Sequence, residues 1–226
     1  FDIRKTLIKF DDVMNDQRQV IFSQRFKIIQ NDNVNQMLDS FFDEVVDDLL
    51  KIKNNYAKTN DKNAYLTPFK KVIGNILGDE DLIKFTEFSK EEFVDKLKSL
   101  FNQKRKERIK LIGLEQNNEI EKRIFLQIID FSWRSHLQYL EQLRQVIGLR
   151  QYGQKDPLSE FKKEAFVLFE SLLTKIKNDL IKFLLNLNIV MSNEEEEKKD
   201  VKEKILEDKF QKKVGRNEKC PCGSGK

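Results

Sequence analysis

The sequence predicts an all-α fold: one long helix, a small helical subdomain, a long helical hairpin and a flexible charged C-terminal tail. Three observations carry this. The 226 residues include only 8 glycines and 3 prolines, about half the usual share, which rules out the many tight turns of a sandwich or barrel. Charged residues make up 35% against roughly 25% in an average domain, a balance that suits long amphipathic helices. Apolar residues recur at three- and four-residue steps over most of the chain, which puts them on single helical faces. The 18 phenylalanines supply enough apolar volume for a real core, so wholesale disorder is excluded.

The elements follow in order. Residues 1–30 hold Ile3, Leu7, Phe10, Met14 and Ile21 on one face of a long helix. Asn31 to Asn33 offer cap-type side chains, after which Val34, Met37, Leu38, Phe41, Phe42, Val45, Val46, Leu49 and Leu50 mark a second, strongly one-sided helix. Residues 54–63 read as a polar connector. Pro68 then stands near the start of a helix that carries Phe69, Val72, Ile73, Ile76 and Leu77 towards Gly78. Ser89 with Glu92 forms a capping box ahead of Phe93, Leu97 and Leu100. Residues 31–118 are thus expected to form a helical subdomain.

Residues 119–190 predict the hairpin. Ile120, Ile124, Ile128, Phe131, Leu137, Leu140 and Ile147 mark the buried stripe of its first arm. Gly148 and Gly153 bracket a turn, Asp156 and Pro157 supply an N-cap and a favourable first residue, and Phe161, Ala165, Leu168, Leu172, Ile176, Leu180 and Leu184 continue the second arm. Residues 191–213, with Glu194 to Glu197 and many lysines, form a charged linker.

Several function classes are excluded. The formal net charge is +4, with both signs interspersed, so no nucleic-acid footprint is expected. The longest greasy stretch, 180–191, is too short to cross a bilayer and is interrupted by Lys182, Asn186 and Asn188. The first residues carry acid and base together and lack an apolar core, so they are not expected to be a signal peptide. The 2 cysteines, both within the last seven residues, cannot staple so long a chain and fit a reducing, cytosolic compartment. Because the sequence opens on Phe1 in mid-pattern, it is expected to be a fragment of a longer protein.

Chemically pointed residues are few. Cys220 and Cys222 can grip a soft cation from one side, or belong to a plain polar tail, but a closed structural zinc site needs four ligands and the single histidine, His136, lies deep in a helical stretch. Gly223-Ser-Gly-Lys226 lacks the spacing and the strand–helix setting of a phosphate loop. Asp11, Asp12, Asn15, Asp16, Gln17 and Arg18 crowd polar groups onto the first helix, with Gln17 where the apolar stripe would otherwise continue. They are either a solvated face with i, i+4 pairs or an interdomain contact surface. Trp133 and His136, one turn apart, read as packing residues. At the hairpin tip, Tyr152 either closes the turn or presents an aromatic among basic neighbours at the end of a stiff lever.

Three segments together resemble the C-terminal part of SecA, the ATP-driven preprotein translocase motor of bacteria. Ile3-Arg-Lys-Thr-Leu7 through Phe10-Asp-Asp-Val-Met-Asn-Asp-Gln-Arg18 to Ser23-Gln-Arg25 is similar to the long helix of its helical scaffold. Ile129-Asp-Phe-Ser-Trp-Arg-Ser-His-Leu137, with Leu143-Arg144, Leu149-Arg150, Tyr152, Gln154, Asp156-Pro157 and Glu160-Phe-Lys162, resembles its two-helix finger. Val214-Gly-Arg-Asn217 and Cys220-Pro-Cys-Gly-Ser-Gly-Lys226 resemble the start of its zinc-binding motif. Residues 31–118 then correspond to its helical wing, and 214–226 to a truncated zinc motif. Val146 and Gln151 depart from the family, in which glycine is frequent at or near these positions.

The resemblance implies a division of labour. The polar residues 11, 12 and 15–18 would contact motor domains that bind ATP and magnesium and that this sequence lacks, so the chain alone would not be active. Arg150, Gln151, Tyr152, Gly153, Gln154 and Lys155 would form a finger tip pressing on the preprotein inside the membrane translocation channel, with Tyr152 as the contacting side chain. Cys220 and Cys222 would contribute to a zinc site that binds the export chaperone and acidic phospholipids. A homodimeric parent, cytoplasmic and peripheral on the inner membrane, is implied as well. The competing expectation is a non-enzymatic helical adaptor with a cysteine-containing interaction tail.

Overall fold

In the computed structural model, which describes residues 2–31, 34–59, 61–153 and 156–189, the longest helices are those whose apolar residues keep one face over many turns. Helix α1 (Asp2–Gln30) and α2 (Asn35–Thr59) are followed by α3 (Lys62–Ile73), α4 (Asp79–Lys84) and α5 (Lys90–Ile112). The hairpin is α6 (Leu114–Ile147), a 3₁₀ segment (Gly148–Gly153) and α7 (Pro157–Asn186). No strand occurs among the described residues, as the all-α expectation requires. The chain divides after Leu187 into two units, and the described helices belong to the first.

Helix α1 runs antiparallel to α6, as Asp11–Arg144 and Arg25–Asp130 ion pairs of 3.2 and 3.1 Å show. With α7 returning along α6, these three form a bundle about 45 Å long at 1.5 Å per residue. Helices α2, α3 and α5 pack against it through phenylalanines. Phe42 stacks on Phe101 at 4.6 Å, Phe41 meets Phe125 of α6 edge-on at 5.4 Å, and Phe69 meets Phe93 at 6.0 Å. One apolar cluster therefore runs without a break from the subdomain (Phe42, Phe69, Phe93) into the bundle (Ile21, Phe125, Ile129, Leu172, Leu180). A second, smaller cluster of Phe10, Leu140, Leu143, Ile147, Phe161 and Ala165 lies towards the hairpin tip.

Several boundaries differ from the sequence expectation. Helix α2 continues to Thr59 through the expected connector. Tertiary contacts override the weak propensity of Asn54 and Asn55: Lys53 donates to the Phe88 carbonyl and lies 5.1 Å from the Phe93 ring, and Tyr56 packs on Tyr65. Helix α3 begins six residues before Pro68, because Asp61 caps it by accepting from the Asn63 and Ala64 amides at 2.9 and 3.3 Å. It ends at Gly74, whose φ of 73° is the left-handed region that favours glycine. Helix α4 was not expected. Its three leading acids face its own positive end, and Leu82 is fully buried.

The capping box at Ser89 and Glu92 is present in both directions, at 3.2 and 2.9 Å. Helix α6 starts at Leu114, earlier than residue 119, because Gly113 at φ 85° turns the chain within one residue. Its buried face is Phe125, Ile129, Trp133, His136, Leu140, Leu143 and Ile147, while Phe131, expected in the stripe, is 68% exposed. Spacings of three and four about residue 129 put Phe131 on the opposite side of the helix.

Candidate functional site

The hairpin tip is built from its caps. Asp156 accepts from the Ser159 amide at 3.0 Å and from the Ser159 hydroxyl at 2.6 Å, which holds its carboxyl below the usual range and starts α7 at Pro157. Arg150 leaves the 3₁₀ segment and folds back along α7, donating to Glu160 at 3.1 Å and pairing with Glu164. This clasp joins the turn to the first two turns of the returning arm. Gln151, Tyr152 and Gly153 follow Arg150 in the 3₁₀ segment, and Leu149 and Val146 stand exposed beside it. Gln154 and Lys155 lie outside the described residues.

The polar patch of α1 resolves into two parts. Asp11 pairs with Arg144, which also holds Glu141 at 2.9 Å. Asp12, Asn15, Asp16 and Arg18 are exposed, and Asp12 and Asp16 line an open groove of about 470 Å³ with Lys9, Lys162 and Phe166. Gln17 is different: it faces inward and is 7% exposed.

Gln17 sits between the arms of the hairpin. Its Nε2 donates to the Ala165 carbonyl of α7 at 3.0 Å, and its Oε1 lies 2.9 Å from Nε2 of His136 on α6. A carbonyl only accepts, so the amide must turn its nitrogen to Ala165 and its oxygen to His136, which makes His136 Nε2 the donor. The imidazole lies between Trp133 at 5.5 Å and Phe169 at 5.9 Å. Burial there lowers its pKa, since the charged form loses hydration. Trp133 and His136 are thus packing residues, as expected, but His136 is also bonded, and this polar layer separates the two apolar clusters.

Sequence reasoning missed a second buried polar group. Glu121, fully buried, accepts from Arg105 at 2.7 Å and from Arg108 at 3.1 Å. Arg108 also donates to the Leu184 carbonyl at 2.6 Å and to Asn117 Oδ1 at 3.3 Å. It thereby satisfies one of the carbonyls that every helix leaves unpaired at its C-terminus. Nothing in the charge-rich stretch 104–123 distinguishes these residues from solvated ones; only their spacing on the inner faces of α5 and α6 does.

Cys220 and Cys222 lie outside the described residues. Among the described residues no cluster of His, Cys, Asp or Glu is arranged to hold a metal ion, and no helix is long and apolar enough to cross a membrane.

Comparison with known proteins gives a consistent picture. A family profile described as the SecA wing and scaffold domain matches residues 1–188. The protein translocase subunit SecA of Pelagibacter ubique (strain HTCC1062) is 47% identical over 227 residues, covering 97% of this chain and 27% of that protein. Those of Heliobacterium modesticaldum and Caldicellulosiruptor saccharolyticus are 33% and 36% identical, cover all of this chain, and extend well beyond it. The chain spans between a quarter and a third of the length of these relatives.

Proposed function

The chain belongs to the SecA wing and scaffold family, and from that membership we propose that it is the scaffold, wing and finger part of a motor that moves preproteins through a membrane channel. One observation carries the reading: a long hairpin, clasped at its tip by Arg150 to Glu160 and Glu164, is packed along its length on a helix that exposes a polar patch at Asp12, Asn15, Asp16 and Arg18. That arrangement fits a stiff lever on a brace. In this reading Asp11, Asp12, Asn15, Asp16 and Arg18 meet the motor domains that bind ATP and magnesium. Gln17 serves from inside the bundle.

The 3₁₀ tip, with Gln151, Tyr152 and Gly153 followed by Gln154 and Lys155, contacts the preprotein. An aromatic suits this contact because its flat, amphipathic ring meets many side-chain types without demanding one sequence. Arg150 acts at the same tip, holding its shape through the clasp. The match along α1 and along the hairpin favours this reading over a helical adaptor, which would need only the tail.

The finer partners belong to the same proposal: an export chaperone and acidic phospholipids at the cysteine-containing tail, a homodimeric parent, and a peripheral position on the cytoplasmic face of the inner membrane. For zinc, the donor set is partial. The sequence supplies the Cys220 and Cys222 thiols, and His136 is buried and bonded to Gln17. These residues alone do not close a four-ligand site.

The test is Tyr152→Ala in the intact translocase. Translocation should fall while helix content and basal ATP hydrolysis stay unchanged, and Tyr152→Phe should retain most of the rate. Wild-type translocation by Tyr152→Ala would remove the finger from the reading.

A further inference from the structure

Helix α1 is held against the hairpin by two kinds of contact, and they constrain it differently. The apolar clusters on either side of residue 17 are non-directional: they favour burial without fixing where along its axis α1 lies. One turn away from Gln17 in each direction stand Val13 and Ile21, so a slip by a turn would still present apolar side chains to the hairpin. The other polar contacts, Asp11–Arg144, Arg25–Asp130 and the bond from Lys122 to the Ile29 carbonyl, lie at the surface, where they are solvated and salt-screened.

The Gln17 layer has neither freedom. One buried amide donates to α7 and accepts from α6, and no neighbour on α1 at a one-turn step carries both functions. A displaced register would leave His136 Nε2 without an acceptor in an apolar surrounding, a state that buried polar groups strongly disfavour. A polar residue within an apolar helix interface has this known physical consequence of setting register.

We propose that Gln17 is the positioning residue that locks α1 in register with both arms of the hairpin, so that axial displacement of α1 is passed to the tip rather than lost as sliding. This rests on reading the hairpin as the element that contacts the preprotein. Gln17 does not touch substrate. It acts through His136 and the Ala165 backbone.

The prediction separates stability from coupling. Gln17→Leu alone strands the His136 donor and should lower stability. The double variant Gln17→Leu/His136→Leu removes both partners, and the Ala165 carbonyl keeps its bond within α7, so stability should return towards that of the unaltered protein. The register lock stays absent.

The experiment uses the intact translocase with a preprotein and membrane vesicles carrying the channel, and measures preprotein moved per ATP hydrolysed together with the thermal midpoint. The double variant should hydrolyse ATP at the unaltered rate yet move at least about fivefold less preprotein per ATP, the low end of usual coupling between sites. Gln17→Glu, which keeps an acceptor for His136 and loses the donor to Ala165, is a second reading should the double variant not fold, and should be impaired in the same direction but by less, since the bond to α6 remains, without loss of hydrolysis.

Unaltered transport per ATP in a folded double variant, or in Gln17→Glu, overturns the proposal. So does a loss that merely follows the thermal midpoint and is rescued when His136→Leu restores it. A Tyr152→Ala control tells the two layers apart. If it impairs transport while the Gln17 variants do not, only the register lock fails. If neither does, the reading of the hairpin fails with it.

Discussion

Glu121 of α6 and Arg108 of α5 form a buried ion pair of 3.1 Å whose carboxylate is shared with Arg105 and whose guanidinium reaches on to α7 at the Leu184 carbonyl. Three helices are joined at this point by groups with almost no access to water. A buried pair is weak support for net stability, because desolvation offsets attraction, but removing one member leaves an uncompensated charge. Glu121→Leu should therefore destabilise the chain by about 3–5 kcal/mol. Urea unfolding followed through Trp133 fluorescence measures this, and a loss below 1 kcal/mol would contradict the geometry. Arg105→Met should cost less, since Arg108 still neutralises Glu121.

Gly74 is constrained twice. Its φ of 73° disfavours any residue with a Cβ, and an added Cβ would clash with the Asn186 amide nitrogen. That amide is itself engaged, donating to the last carbonyl of α3, at Ile73, at 2.9 Å. Gly74→Ala should cost roughly 1–3 kcal/mol from backbone strain and displacement together. Asn186→Ala should relieve the clash and not the strain, so the double variant should be less destabilised than the sum of the two singles. Strict additivity in denaturant titrations would show that Asn186 does not occupy that space.

The buried imidazole of His136 gives a pH dependence with a defined sign. Its pKa is lowered in the folded chain, so above the unfolded value of about 6.5 it is neutral in both states and its contribution is complete. As pH falls from there towards the lowered folded value, the unfolded chain binds the proton first and stability is lost. Stability should thus begin to decline as pH falls through about 6.5, before the caps at Glu92 and Asp156 protonate, whose own lowered values place their losses further into acid. His136→Gln should flatten the decline in that window. Equal slopes in the two proteins would argue against a neutral buried histidine.

The chain alone should neither bind nor hydrolyse ATP. Phosphate chemistry needs a cradle of backbone amides, a lysine, a metal-holding acid and a group that orients water in one preorganised place. Among the described residues no glycine-rich loop faces the acids at positions 11, 12 and 16. Equilibrium nucleotide titration should show no saturable binding, and a micromolar site would overturn the division of labour between this chain and the rest of the motor.

Periodicity made α1, α2, the hairpin and the capped starts at Ser89 and Asp156 readable, because a long one-sided stripe has few alternative solutions. Helix α4 was not readable, being six residues whose one buried anchor is Leu82. Pro68 misled because a proline usually marks a first turn, whereas here the cap at Asp61 starts the helix earlier. For the site, the residue types were visible and their facing was not. Gln17 looked like one more polar side chain of an exposed patch, and its burial depends on His136 and Ala165, 119 and 148 positions away. Arg105, Arg108 and Glu121 were hidden for the same reason, since charge alone does not tell an inner face from an outer one.

The separation of Gln17 from Ala165 by 148 residues also orders events during synthesis. At 5–20 residues per second, α1 is complete for roughly seven to thirty seconds before the ribosome has made the α7 surface it rests on. Helices α2 to α5 can meet one another during that interval, because their phenylalanine contacts are closer in sequence. Helix α1 has no partner among the described residues of α2 to α5, and its buried face, with Phe10 and Ile21, is completed only as α6 and then α7 emerge. Of the helices described, α1 is made earliest and its seat is completed latest, and its apolar face must be kept from other partners until then.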